Sequence, residues 1–238
     1  MNRYSLALGL LLALGGVMVG ACGGSPVYVD RGLAQGMPCQ PPCWEGLTPG
    51  ISTEAEVRQT LERLQKSGQI PPFYATSSLY RIGEDWRGGI QIWIEDGRLA
   101  LIDGAVGFDL DAQQLIDRMS VPQAVVPAQL GVTTTCACEA HHVSVTPSHW
   151  YGYDPNSGSS LYYPEKGMVF TIAIPPQDEG CICPYMKVTG FIYTPPMTTA
   201  QGQWQYWVNF YLYSATIHES DLVPWHGFGS GYLQVVNP

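Results

Sequence analysis

Gly89-Ile-Gln-Ile-Trp-Ile-Glu-Asp-Gly-Arg-Leu-Ala-Leu-Ile-Asp103 carries the clearest structural signal in the chain. Ile90, Ile92 and Ile94 alternate with Gln91 and Trp93, and Leu99 and Leu101 alternate beyond Asp96-Gly97. Successive side chains of a strand point to opposite faces, so this period of two marks a half-buried sheet. Asp-Gly between two such runs supplies the residues that a tight hairpin turn demands. Leu79-Tyr-Arg-Ile82 just upstream reads as a further strand.

Working outward, a helix precedes this sheet. Thr53 is followed by acidic residues at 54 and 56, which suit a helix start, and Ser52-Thr-Glu-Ala-Glu56 has the form of a capping box. Val57, Leu61 and Leu64 then fall at i, i+4 and i+7. That spacing predicts an amphipathic helix ending near Ser67-Gly68, with Pro71-Pro72 forcing an extended link to the sheet.

The order then repeats. Phe108 to Met119 reads as a helix capped by Asp109 or Asp111, with Leu115, Ile116 and Met119 on its apolar face. Pro122 ends it, and Ala124-Val-Val-Pro127 is extended. Strands are expected over His142–Val145, Gly158–Tyr163, Gly167–Ile174 and Met186–Tyr193, with Pro164-Glu-Lys-Gly167 as a turn. The fold class is therefore α+β: two helix-plus-antiparallel-sheet units related by duplication. The first is expected over residues 39–105 and the second over 106–238.

Gln203-Trp-Gln-Tyr-Trp-Val-Asn-Phe-Tyr-Leu-Tyr213 reads as a long aromatic strand at the end of the second unit. Trp204, Tyr206, Val208, Phe210 and Leu212 would face the core. Trp207, Tyr211 and Tyr213 would line the other side, either as an exposed binding strip or under the tail Val223–Gly229.

The N-terminus has a different character. Met1-Asn-Arg3 is a short basic start, Tyr4 to Val19 is apolar, and small residues follow at Gly20 and Ala21. This is the layout of a cleaved signal peptide over residues 1–21. The run is short and rich in glycine for a spanning helix, which needs about 20 apolar residues. Val19-Gly-Ala-Cys22 resembles the lipobox of bacterial lipoproteins. The resemblance implies a diacylglyceryl thioether on Cys22, with residues 22–38 as a lipidated tether. Two or three acyl chains, at about 0.8 kcal/mol per buried methylene, anchor a chain firmly.

Cleavage of the 238-residue chain leaves 217 residues and, with Arg3 removed, a net charge of −10 in place of −9. Such an acidic chain is a poor match for nucleic acid, whose binding rests on cationic phosphate contacts. Hydrophobic residues at 45% and charged residues at 13% mark a folded chain.

Besides Cys22 there are six cysteines: Cys39, Cys43, Cys136, Cys138, Cys181 and Cys183. An even number in an exported chain reads as disulfides. Cys39-Gln-Pro-Pro-Cys43 is a tight turn able to close on itself. The two Cys-x-Cys pairs suit two parallel rungs between facing strands, since i and i+2 share a face. A metal site of these thiolates with His141 and His142 is the competing reading, but structural zinc favours Cys-x2-Cys spacing.

No catalytic residue, metal-ligand set or cofactor motif is assigned. His141, His142, His149, His218 and His226 show neither His-x3-His nor His-Glu-x2-His spacing. Gly227-Phe-Gly-Ser-Gly231 lacks the residue arrangement of a nucleophile elbow at Ser230, although Asp221, His218 and His226 are near in sequence.

Gly46-Leu-Thr-Pro-Gly-Ile-Ser-Thr-Glu-Ala-Glu-Val-Arg-Gln-Thr-Leu61 resembles the start of small lipoproteins of the BamE/SmpA type. The tandem order resembles the beta-lactamase-inhibitor-protein-like fold. Pro42–Gly50 together with Leu161–Phe170 resembles a group of uncharacterised bacterial lipoproteins. These resemblances imply a fold and an address, and no activity. The expected function is a binding, scaffold or accessory module at the cell envelope. Its expected partners are the membrane, through the N-terminal lipid, and an envelope protein or polymer, with no nucleic acid. The alternatives are an envelope hydrolase or a solute- or metal-capturing lipoprotein.

Overall fold

The computed structural model describes residues 31–36, 38–83, 89–106, 109–126, 138, 158–173, 182–208 and 222–228. The signal peptide expected over residues 1–21, Cys22, the strand expected over His142–Val145, and Ser230 lie outside the described residues.

Elements follow the order α1 (Arg31–Gln35), α2 (Glu54–Lys66), β1 (Phe73–Ala75), β2 (Leu79–Ile82), β3 (Ile90–Glu95), β4 (Arg98–Ala105), α3 (Ala112–Met119), β5 (Ala124–Val126), β6 (Gly158–Tyr163), β7 (Met168–Ala173), β8 (Val188–Tyr193), α4 (Ala200–Val208) and β9 (Val223–Pro224). Among the described residues, nine strands form one antiparallel sheet in the order β1-β2-β3-β4-β8-β7-β6-β5-β9. A helix and four meandering strands are thus followed by a helix and four meandering strands. The last strand of each run meets the other in the middle of the sheet.

The helices α2 and α3 start as their sequences demand. The Glu56 amide donates to Thr53 Oγ1 (3.3 Å), and the Thr53 amide donates back to Glu56 Oε2 (2.7 Å). That amide bond, then the Thr53 hydroxyl, holds the Glu56 carboxyl below its ordinary pKa. Asp111 and Gln114 repeat the capping box at α3, with the Gln114 amide donating to Asp111 Oδ1 at 2.8 Å. Each cap is also stitched to the start of a strand. Thr53 bridges Arg98 and Asp111 bridges Lys187. Leu99 N–H donates to Ser52 O, and Val188 N–H donates to Leu110 O. Arg98 Nη1 donates to the Ile51 carbonyl (3.0 Å), while Lys187 Nζ pairs with Asp109 Oδ1 (2.6 Å).

The hairpin at Asp96-Gly97 forms as expected, both residues at positive φ (49° and 73°). One detail departs from simple alternation. Ile94 pairs with Leu99 and Trp93 with Leu101, so Ala100 is an extra residue, a β-bulge. Leu99 and Leu101 therefore face opposite sides of the sheet instead of sharing one. A second bulge sits at Thr189 of β8, between the pairs Thr171↔Gly190 and Ile172↔Val188.

One face of the sheet carries the main core. Tyr80, Ile92, Leu99, Ile102, Phe191, Tyr193, Phe170 and Leu161 pack there with Val57, Leu61 and Leu64 of α2 and with Ala112 and Leu115 of α3. Burial of a side chain the size of Leu61 contributes about 1.5–3 kcal/mol. Leu33 of α1 joins this core (3% exposed), and Arg118 Nη1 donates to its carbonyl at 3.2 Å. An apolar side chain of α1 is thus packed against the main core.

At the centre, β4 and β8 pair through Ile102↔Tyr193, Asp103↔Ile192, Gly104↔Phe191 and Ala105↔Gly190. The Phe191 ring occupies the space where a Cβ on Gly104 would stand, 2.8 Å from the nearest ring atom. Gly104→Ala should destabilise the fold by about 1–3 kcal/mol through overpacking. Combined with Phe191→Leu, the two losses should be clearly less than additive in denaturant unfolding. Strict additivity would mean that this contact does not constrain the seam.

Candidate functional site

Cys39 and Cys43 are bridged, with their Cα atoms 5.7 Å apart, around the cis Pro41-Pro42 peptide. The bridge leads into a two-residue hairpin. Trp44 N–H donates to Leu47 O (2.9 Å) and Leu47 N–H to Trp44 O (2.8 Å), while Glu45 and Gly46 both have positive φ (52° and 89°). That turn places Trp44 and Leu47 in the main core.

Cys138 and Cys183 are also bridged, Cα to Cα 5.4 Å, across 45 residues of chain. This agrees with one of the two expected rungs. The rung geometry differs, because Cys183 precedes β8 in a turn rather than lying within a strand. Cys136 and Cys181 lie outside the described residues. Among the described residues, no three His, Cys, Asp or Glu side chains gather in a way that suits a metal ion.

The aromatic strand expected over Gln203–Tyr213 is corrected: Ala200–Val208 is a helix. Its start follows Pro195-Pro196, and Thr199 Oγ1 accepts from the Gly202 N–H (3.1 Å). With helical spacing, Gln203 and Trp207 share the inward side, and Trp207 is 1% exposed. Trp207 therefore belongs to a core and not to an exposed strip. Tyr211 and Tyr213, its expected companions, lie outside the described residues.

The helix α4 crosses the second face of the sheet, the side opposite α2 and α3. Its first amide, Ala200 N–H, donates to Gln123 Oε1 beside β5 (2.9 Å). Near its other end the Tyr206 hydroxyl donates to Ala100 O at the β4 bulge (3.3 Å). Burial, with the nearby Glu95 carboxylate, pushes the Tyr206 phenol up to about 12. Beneath the helix Trp207 packs with Leu101, Tyr162, Val169 and Ile192, and Trp93 and Trp204 pack at the margin. Gln203 Nε2 donates to Thr194 Oγ1 at 3.0 Å.

Beyond α4 the same face reaches solvent. Pairing places Arg81 opposite Gln91 and Gln91 opposite Asp103, a row crossing β2, β3 and β4. Arg81 is exposed, and Gln91 and Asp103 are partly exposed. Directly opposed side chains stand roughly 4.5–5.5 Å apart at Cβ. Ala105 and Gly190, paired in the next row, are also partly exposed and leave little side-chain bulk there. The arrangement presents a cation, an amide and a carboxylate on a rigid ladder above a low floor. It can offer hydrogen bonds of both polarities to a surface laid against it. Periodicity alone points to these residues only as the polar half of strands and does not single them out as a site.

Among the described residues, no helix is long and apolar enough to cross a membrane.

Loop size sets the expected worth of the two bridges. Chain-entropy estimates give about 4 kcal/mol for closure of a 45-residue loop and about 2 kcal/mol for the short Cys39–Cys43 loop. Replacement of Cys136, Cys138, Cys181 and Cys183 together by Ser, which opens this loop fully, should thus lower the unfolding midpoint more than the same change at Cys39 and Cys43. Equal losses would mean that neither bridge acts mainly through loop closure.

No protein-family model, no curated protein and no solved structure matches the chain.

Proposed function

We propose that this chain is a lipid-anchored binding module of the bacterial envelope, built from two tandem helix-plus-four-strand units. The partly open sheet face carried by Arg81, Gln91 and Asp103 supports the binding reading, because a broad ladder of mixed polarity suits a flat partner surface. An envelope protein or polymer is the partner class, as contact there needs shape and hydrogen bonding more than a deep cavity.

Three correspondences support the tandem reading. The capping boxes at Thr53 and Asp111 make matching bonds to residues 97–99 and 186–188. The bulges at Ala100 and Thr189 fall at the same place in the last strand of each run. The central register is symmetric under the same correspondence: Ile102↔Tyr193 exchanges with Gly104↔Phe191, and Asp103↔Ile192 maps onto itself. A local two-fold axis would then pass between Asp103 and Ile192. In such a duplication α4 and β9 are additions outside the repeat, and α4 covers part of one face.

The anchoring reading rests on Val19-Gly-Ala-Cys22. It predicts that the mature N-terminal peptide carries a diacylglyceryl thioether and that Cys22→Ala moves the protein from membrane to soluble fractions. A full-length, soluble wild-type protein without lipid mass would contradict it. The binding reading predicts that Arg81→Glu with Gln91→Arg removes a specific product formed by mild crosslinking in intact cells. Glu62→Arg on the exposed side of α2 should leave that product unchanged, with circular dichroism alike in all three proteins. Loss of the product in both variants, or in neither, would count against this face.

A further inference from the structure

We infer that one end of the sheet, marked by Ile51 and Val121, rests on the lipid surface. This rests on the anchoring reading above and adds an orientation to it. Ile51 is 69% exposed and Val121 61% exposed, two of the three large exposed hydrophobic side chains among the described residues.

They belong to the same end of the molecule. Antiparallel register puts the starts of β4, β5 and β7 and the ends of β3, β6 and β8 there. A chain of contacts joins the two residues. Gly50, next to Ile51, abuts Pro195 just after β8. Met197 N–H then donates to Pro164 O (2.7 Å), two residues before Lys166. Lys166 Nζ in turn reaches Met119 O and Ser120 Oγ, immediately before Val121.

The N-terminal segment docks at this end too. Leu33 O accepts from Arg118, three residues before Val121. From Cys22 to Arg31 the chain advances nine residues, a reach of about 30 Å at the ~3.3–3.6 Å per residue of a fully extended chain. A lipid on Cys22 thus keeps this end within range of the bilayer. Arg98, Arg118 and Lys166 stand here with Glu54 and Glu56 at the start of α2, Glu95 and Asp96 at the β3–β4 turn, and Glu165, so acidic groups outnumber basic ones. Apolar side chains at the headgroup boundary are the main contact, with the basic groups beside phosphates. In this orientation the Arg81–Gln91–Asp103 ladder lies across the membrane normal and stays open to a partner from the side.

The test uses the acylated full chain in vesicles of phosphatidylethanolamine and phosphatidylglycerol. A benzophenone amino acid is placed at position 51, 121 or 69, the last being exposed and following the far end of α2. Positions 51 and 121 should give several-fold more lipid adduct than position 69. Hydrogen exchange of the unsubstituted protein provides a second readout, with amides near 51 and 118–123 slowed when vesicles are present. Equal adduct at all three positions, or no slowing, would overturn the orientation. The mass of the N-terminal peptide from the same sample separates the two claims: a thioether with no positional preference defeats the orientation alone, and a missing thioether defeats the anchoring reading with it.

Discussion

Four residue pairs between β4 and β8 hold the molecule together as one body. Each is the last strand of its run of four, and without the other it would be an exposed edge with unpaired backbone groups. Their pairing merges two four-stranded meanders into one ladder, and a single core of α2, α3 and α1 spreads across both sides of the join. Gly104 is the local requirement: the Phe191 ring lies where any side chain at that position would project. The helix α4 reinforces the join on the other face. It is tied to Gln123 beside β5 and to Ala100 in β4, with Trp207 over Leu101 and Ile192 from the two central strands.

The two bulges have a shared consequence. Ala100 and Thr189 each shift the start of a central strand by one residue relative to its end. Leu99 can then face the helices while Leu101 faces α4, and Arg98 and Lys187 are brought beside the helix starts they bridge. Extra twist at a bulge also lets a long sheet curve. The polar ladder is a by-product of this arrangement. Its residues alternate with core isoleucines on β3 and with Ile102 and Gly104 on β4, so core packing fixes their positions.

Local chemistry made much of this legible. Asp96-Gly97, the caps at Thr53 and Asp111, and the i, i+4, i+7 spacing of Val57, Leu61 and Leu64 are short-range signals, and each element formed where they lay. The failures were tertiary. Period-two alternation through Leu99 and Leu101 gives no sign of a bulge, because one extra small residue costs the pattern nothing. The run of Trp and Tyr after Gln203 has strong β propensity, but Thr199 offers a cap and the inward pair Gln203/Trp207 suits a helix lying across strands already in place. The five-residue α1 is too short to show a period, so the packing of Leu33 has no linear signature. The Arg81–Gln91–Asp103 row exists only once three strands are in register, and no linear pattern contains it.

Native-state hydrogen exchange tests most directly whether the seam governs the fold. If β4 and β8 join the two halves into one cooperative structure, the hydrogen-bonded amides between Ile102–Ala105 and Gly190–Tyr193 exchange only through global unfolding. They would then share the slowest class with the β3–β4 and β7–β8 ladders. Seam amides that exchange through a lower-energy opening, while both flanking ladders stay protected, would show two halves that merely touch.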